Sequence, residues 1–388
     1  MPGPGAATVS AMRVVLVGPT HPYKGGIAQH TTELAHRLAA AGHEVDLWSW
    51  SEQYPQRLYP GQQRVPDGAP ELPVFPRTTY PLSWRRPDGW VRAGRRMAAY
   101  DVAVVVVVTP VQAPAYLALL GALRRARRRP GARPTRVVAL CHNVLPHERG
   151  RADLPLTKAV LSRADALLVH SEEEKTKAEQ LTRRAKIVVT PLPPLALTAT
   201  PEFAPKASSS GVDRSLLFFG MVRRYKGLDV LLRALALVPD VRLVVAGEFW
   251  EDEAATRALV AELGLTDRVD IRGGYVAAGE VPALFAAADA LALPYRASTA
   301  SAHAYIAHSY GLPVLGTTVG SIPEQVRDGV DGLLVPPEDP AALATAIERL
   351  YEPGVLDRLR AGARDAAAAG GTDLWAAYVA AFEVAATG

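Results

Sequence analysis

The run Val102–Val108 is valine at every position but one, so neither face of a strand built from it is suited to water. Such a strand belongs in a parallel sheet covered on both sides. Short apolar runs recur around it at Arg13–Gly18, Glu44–Trp50, Arg136–Cys141, Ala166–His170 and Ile187–Thr190, with an amphipathic helix predicted over Gly26–Ala41 and another from Pro110. Strands alternating with helices of about 10–15 residues imply βαβ units. A stretch rich in Pro, Ser, Thr and Ala, Leu195–Val212, interrupts the series. It resumes with Ser215–Gly220, Val241–Gly247, Val269–Arg272, Asp289–Pro294, Pro313–Thr317 and Gly332–Val335.

The expected fold is therefore α/β, with two doubly wound Rossmann-like lobes. The expected divisions are a flexible tail 1–12, a first lobe 13–200, a linker 201–213, a second lobe 214–365, and a closing helical segment 366–388 packed back on the first lobe. Two such lobes place a ligand cleft between them at the carboxyl ends of the strands.

Composition narrows the function classes. Cys141 is the sole cysteine of 388 residues, which excludes a disulfide framework and any multi-cysteine metal site. No apolar run approaches the ~18 residues of a membrane span. The first twelve residues lack the charged and apolar regions of a secretory signal, so a cytoplasmic location is expected. A net charge of only +4 over two lobes, with no recognised binding module, argues against nucleic acid. The 43 basic residues include only 7 lysines, two of which, Lys24 and Lys226, precede glycine.

Four strand ends carry candidate chemistry. The first is followed by GPTHPYKGG, which fits neither the dinucleotide G-x-G-x-x-G pattern nor a P-loop. Gly25 and Gly26 open the next helix; they read either as an ordinary turn or as open amides for an anion. In FFGMVRRYKGL (Phe218–Leu228), Arg223, Arg224 and Lys226 stand where a helix begins. Cations there oppose the helix dipole by roughly 0.3–1 kcal/mol each, a conflict that a diphosphate would remove; the alternative is a solvated basic turn. VALCHN (Val138–Asn143) sets His142 at a third strand end, with Cys141 as core filler. The fourth, Leu293–Pro313, offers Ser298, Thr299 and Ser301 before a helix, as donors to a sugar or phosphate or as helix caps.

In combination these segments resemble the retaining, nucleotide-sugar-dependent glycosyltransferases of family 4, which have the GT-B fold. The likeness covers about residues 13–365. It rests on Gly25–Gly26 with GHEV at Gly42–Val45, CHN at Cys141–Asn143, VHSE at Val169–Glu172, FFGMVRRYKGLDVLL at Phe218–Leu232 and VVAGE at Val244–Glu248. YGLPVLGT at Tyr310–Thr317 and the run from Gly320 through Pro340 are the most specific parts.

The resemblance implies an acceptor-side first lobe and a nucleotide-sugar-binding second lobe. Gly25 and Gly26 would face the reaction centre, and His142 the transferred sugar. Lys226 would bind the phosphates with Arg223, the family's usual arginine position being Met221 here. Tyr275 and Val276 would lie near the base, and the segment Ser298, Thr299, Ala300, Ser301 and Ala302 would meet the donor. The family's two glutamates, eight residues apart, are replaced by Ser298 and Ile306, with His303 and His308 as conceivable substitutes.

The implied reaction is hexosyl transfer from a nucleotide-sugar donor, a UDP-sugar by default, to an unidentified lipid-linked, polysaccharide or small-molecule acceptor, with the anomeric configuration retained. Charge growing on the diphosphate would be stabilised by preorganised cations. The chain contains no D-x-D motif, so neither a metal nor a cofactor is implied. The alternatives are a catalytically silent sugar-nucleotide-binding or scaffold protein and a nucleotide-sugar epimerase. Arg124, Arg125, Arg127, Arg128, Arg129, Arg133 and Arg136 form a basic cluster in the first lobe, with SWRRPDGW at Ser83–Trp90 expected nearby. It reads either as a solvated face or as a peripheral contact with the inner face of a membrane.

Overall fold

The computed structural model describes residues 10–55, 63–65, 73–145, 150–193, 214–298, 301–369 and 374–387. They form two compact units, one reaching Pro191 and resuming at Trp375, the other spanning Leu192–Leu374.

The first unit is built on β1 (Arg13–Val17), β2 (Glu44–Glu52), β3 (Thr78–Ser83), β4 (Val102–Val107), β5 (Arg136–Cys141), β6 (Ala166–Val169) and β7 (Lys186–Val189). They pair in the order β3-β2-β1-β4-β5-β6-β7, each pair parallel. The valine-rich β4 lies mid-sheet and is buried at all six residues. The helices are α1 (Gly26–Ala40), α2 (Pro87–Arg96), α3 (Ala113–Arg127), α4 (Asp153–Leu161) and α5 (Glu172–Leu181). The strand β3 was not legible in the sequence: its TTYPLS shows no clear alternation and contains Pro81, which a sheet edge tolerates.

The second unit pairs β8 (Arg214–Phe219), β9 (Val241–Gly247), β10 (Val269–Gly273), β11 (Ala290–Leu293), β12 (Val314–Thr317) and β13 (Gly332–Val335) in the parallel order β10-β9-β8-β11-β12-β13. Its helices are α6 (Leu228–Leu237), α7 (Glu253–Glu262), α8 (Val281–Ala286), α9 (His303–Ser309), α10 (Ile322–Gln325), α11 (Pro340–Leu350) and α12 (Val355–Ala369).

The closing helix α13 (Leu374–Thr387) places Trp375, Tyr378 and Phe382 in a core cluster with residues of β1, β2, β4 and β5. Polar bonds fix it: Arg136 Nε donates to the Ala385 carbonyl at 2.7 Å, and His43 Nε2 lies 3.1 Å from Glu383 Oε1. Three expected boundaries shift. The first unit closes at Pro191, and Leu192 packs in a core cluster of the second, so the first lobe does not reach residue 200. Met12 belongs to the core and accepts a bond from the Glu44 amide, so the folded chain includes residue 12. Residues 366–369 continue α12 of the second unit and do not belong to the closing helix. The expected linker 201–213 lies outside the described residues. No helix among the described residues is long and apolar enough to cross a membrane.

Candidate functional site

In the second unit, β8 ends at Phe219 and the chain turns through Gly220 into a short 3-10 turn, Arg224–Lys226, before α6. Gly227 joins turn to helix at φ +68°, and a β-carbon there would lie 2.0 Å from the Pro294 carbonyl oxygen, so only glycine fits. Arg296, three residues past the end of β11, clamps the turn. Its amide donates to the Tyr225 carbonyl at 2.7 Å, Nη1 to the Arg224 carbonyl at 2.8 Å, and the guanidinium fork to Asp229 at 2.7 Å on each oxygen.

The clamp holds Lys226 inside the protein. It is 4% exposed, and its Nζ stands 5.5 Å from the centre of the Tyr295 ring. Among the described residues its ammonium has neither a carboxylate nor a hydrogen-bond acceptor. Burial, with the nearby Arg223 charge, pushes its pKa down to about 7. A buried cation without a counter-charge is costly. Arg223 is half-buried, its guanidinium 5.0 Å from the Trp250 ring and 5.7 Å from Tyr225. Arg224 is exposed.

The neighbouring strand ends complete the surroundings. Gly220 donates to the Ala246 carbonyl, and Gly274 to that of Gly247, so Tyr275 and Val276 follow from the end of β10 two strands away from β8. Ser298, Ser301 and Ala302 are buried before α9; Thr299 and Ala300 lie outside the described residues. Ile306 is a core residue. The two histidines of α9 have different neighbours: the Lys226 charge acts on His303, whereas Asp331 and Arg327 act on His308.

In the first unit, Gly25 caps α1 with φ +98° and Gly26 begins the helix. His142 follows β5 and is 6% exposed. It joins two histidines that sequence reasoning had not assigned to a site, His30 of α1 and His170 after β6, with ring centres 4.9 Å and 5.2 Å from its own. Trp375 stacks on His30 at 5.2 Å, and Tyr378 stacks on His170 at 5.8 Å. Both ring nitrogens of His30, Nε2 of His142 and His170, and the Tyr378 hydroxyl are buried without hydrogen-bond partners among the described residues. Burial holds all three imidazoles neutral, His170 down to about 4. The fully buried Glu174 accepts the Val144 amide at 2.5 Å and so fixes the turn after His142. Sequence spacing gives no sign of the cluster, because strand order alone brings residues 30, 142 and 170 together.

Among the described residues, no group of three or more His, Cys, Asp or Glu is placed to hold a metal ion. Of the expected basic cluster, Arg124, Arg125, Arg128, Arg129 and Arg133 are exposed at the end of α3 and beyond. Arg127 pairs with Asp165, and Arg136 is committed to α13. Trp84 and Trp90 are half-buried, and Trp90 donates its indole N–H to the Ser83 carbonyl.

Comparison with known proteins agrees with this architecture. The sequence pattern described as Glycosyltransferase Family 4 matches residues 24–193, and that of Glycosyl transferases group 1 matches residues 213–353. D-inositol 3-phosphate glycosyltransferase 1 of Catenulispora acidiphila is 31% identical over 398 residues, covering 93% of this chain and 91% of that one. The chain belongs to glycosyltransferase family 4.

This family 4 glycosyltransferase is also 34% identical over 202 residues to the D-inositol 3-phosphate glycosyltransferase of Mycolicibacterium gilvum. That match and several others span about half the length of the relatives concerned. In fold the glycosyltransferase is similar to sucrose-phosphate synthase from Thermosynechococcus elongatus, with a TM-score of 0.73, 20% identity and coverage of 96% and 98% of the two chains. It is similar as well to Anabaena HepE, solved with UDP and glucose, with a TM-score of 0.69, 19% identity and coverage of 96% and 100%. The chain is thus an enzyme with the GT-B fold.

Proposed function

We propose that this glycosyltransferase moves a hexosyl group from a nucleotide-sugar donor to an acceptor hydroxyl, with retention and without a metal ion, and that Lys226 and Arg223 hold the donor diphosphate. The observation that carries the proposal is the buried Lys226 ammonium, which has no counter-charge among the described residues. Charge accumulates on the diphosphate as the anomeric bond breaks, and a cation already desolvated in place stabilises it without reorganisation. The same two cations supply the charge that a metal supplies elsewhere. His142, which the family resemblance assigns to the transferred sugar, is neutral and buried in the first unit. The HepE complex supports UDP as the first nucleotide to test.

The name of the Catenulispora relative supplies D-inositol 3-phosphate as the first acceptor to test. The reading predicts that UDP, GDP, ADP or dTDP raises the melting temperature, by an amount reflecting about 2.7 kcal/mol at 100 times Kd. It also predicts that the matching donor yields an axial or equatorial product of unchanged configuration by NMR, with turnover unaffected by a chelator. Inverted product would remove the retention claim, and loss of turnover in chelator the metal-free one. The exposed arginines at the end of α3 support a second element of the proposal, a peripheral contact with an anionic membrane surface.

A further inference from the structure

Lys226 shares its pocket with an imidazole. A β-carbon on Gly220 would lie 2.9 Å from His303 Nε2 and 3.2 Å from Lys226 Nζ. Because residue 220 is glycine, at φ +94°, ring and ammonium both reach the same space at the end of β8. Two cations so close would repel. Burial, reinforced by the Lys226 charge, pushes the His303 pKa down to about 3, so the ring is neutral beside the ammonium.

A neutral imidazole carries one N–H, and the role that Ser301 takes at Nδ1 decides which nitrogen bears it. Ser301 Oγ accepts the His303 backbone amide at 3.3 Å and stands 3.1 Å from His303 Nδ1. When that hydroxyl donates to Nδ1, the ring proton stands on Nε2, the nitrogen facing Gly220 and Lys226. Phe219 packs 6.0 Å from the ring at 63° and helps to keep that orientation.

We propose that His303 is a donor-binding residue, its Nε2–H donating a hydrogen bond to the diphosphate of the nucleotide sugar beside Lys226. The inference rests on Lys226 being the diphosphate site. A neutral donor adds a charge-assisted bond to the anion without repelling the ammonium. His308, at the other end of α9, stands by Asp331 and has no such role.

The test compares each nucleoside diphosphate with its own nucleoside, UDP with uridine and likewise for ADP, GDP and dTDP, by calorimetry on the full chain. For the pair that binds, His303→Ala weakens the diphosphate by about 10- to 100-fold and leaves the nucleoside unchanged. His303→Gln, which keeps an N–H donor, recovers part of the loss and guards against a folding defect in the alanine variant. Unchanged diphosphate affinity in both variants, or equal losses for diphosphate and nucleoside, overturns the inference. Lys226→Ala separates the two readings. If it weakens the diphosphate while His303→Ala does not, only the role of His303 falls; if it has no effect, or no pair binds, the diphosphate site falls and the role of His303 with it.

Discussion

Arg296 grips Asp229 with two hydrogen bonds of 2.7 Å while donating a third, of 2.8 Å, to the Arg224 carbonyl. The carboxylate of Asp229 sits below its usual range: burial would raise it, but the guanidinium outweighs burial. The pair is partly exposed, so its value lies in holding the turn that carries Lys226. Arg296→Ala is expected to cost about 1–2 kcal/mol of stability and to weaken diphosphate binding several-fold. Calorimetric binding with a denaturation curve checks both; an unaltered diphosphate affinity would show that the turn holds without the clamp.

Gly227→Ala is a harsher change at the same turn. The added carbon meets the Pro294 carbonyl and the residue must keep φ +68°. A loss of about 2–3 kcal/mol is expected in urea denaturation, whereas a shift below 0.5 kcal/mol would mean that the turn rearranges freely.

With Lys226 at the diphosphate as proposed, its lowered pKa makes anion binding pH-dependent. Above about pH 7 the unliganded amine is increasingly neutral, and an arriving diphosphate restores its charge by raising its pKa. Binding at pH 8 should therefore take up a proton, and affinity should fall as pH rises from 6.5 to 8.5. Calorimetry in buffers of different ionisation enthalpy measures the uptake; zero uptake at pH 8 contradicts a titrating Lys226.

The histidine cluster of the first unit predicts acid sensitivity. His30, His142 and His170 have folded pKa values lowered from 6.5 by burial, so the unfolded chain binds more protons below that pH. The cluster's contribution to stability is full above about pH 6.5 and is lost toward pH 4, at up to about 1.4 kcal/mol per pH unit for each group. Melting temperatures at pH 7.5, 6 and 5 should fall in that order, and His30→Phe should flatten the decline. A flat profile in the unmodified chain would show that the cluster gains no protons on unfolding.

The exposed arginines of α3 should carry the protein onto anionic vesicles at low salt and release it at high salt. Phosphatidylserine vesicles that leave all of it in the supernatant at low salt rule the contact out.

Much of this was legible in the sequence because parallel strands announce themselves. Residues 102–107 and 241–247 are apolar enough to read directly. The strand Thr78–Ser83, polar and bearing Pro81, was not. For the site, the cations before α6 and His142 after β5 stand at strand ends, where local pattern is informative. His30 and His170 gain meaning only from strand order. The pairing of His303 with Lys226 depends on side-chain packing over Gly220, which no spacing rule encodes.

The central claim is that Lys226 and Arg223 neutralise the diphosphate as the sugar departs. Steady-state turnover of the preferred donor by Lys226→Ala and Arg223→Ala tests it most directly. A fall of about 10- to 1000-fold in kcat/KM is expected for each, with melting temperature retained. Turnover equal to the unmodified enzyme in both variants would contradict it.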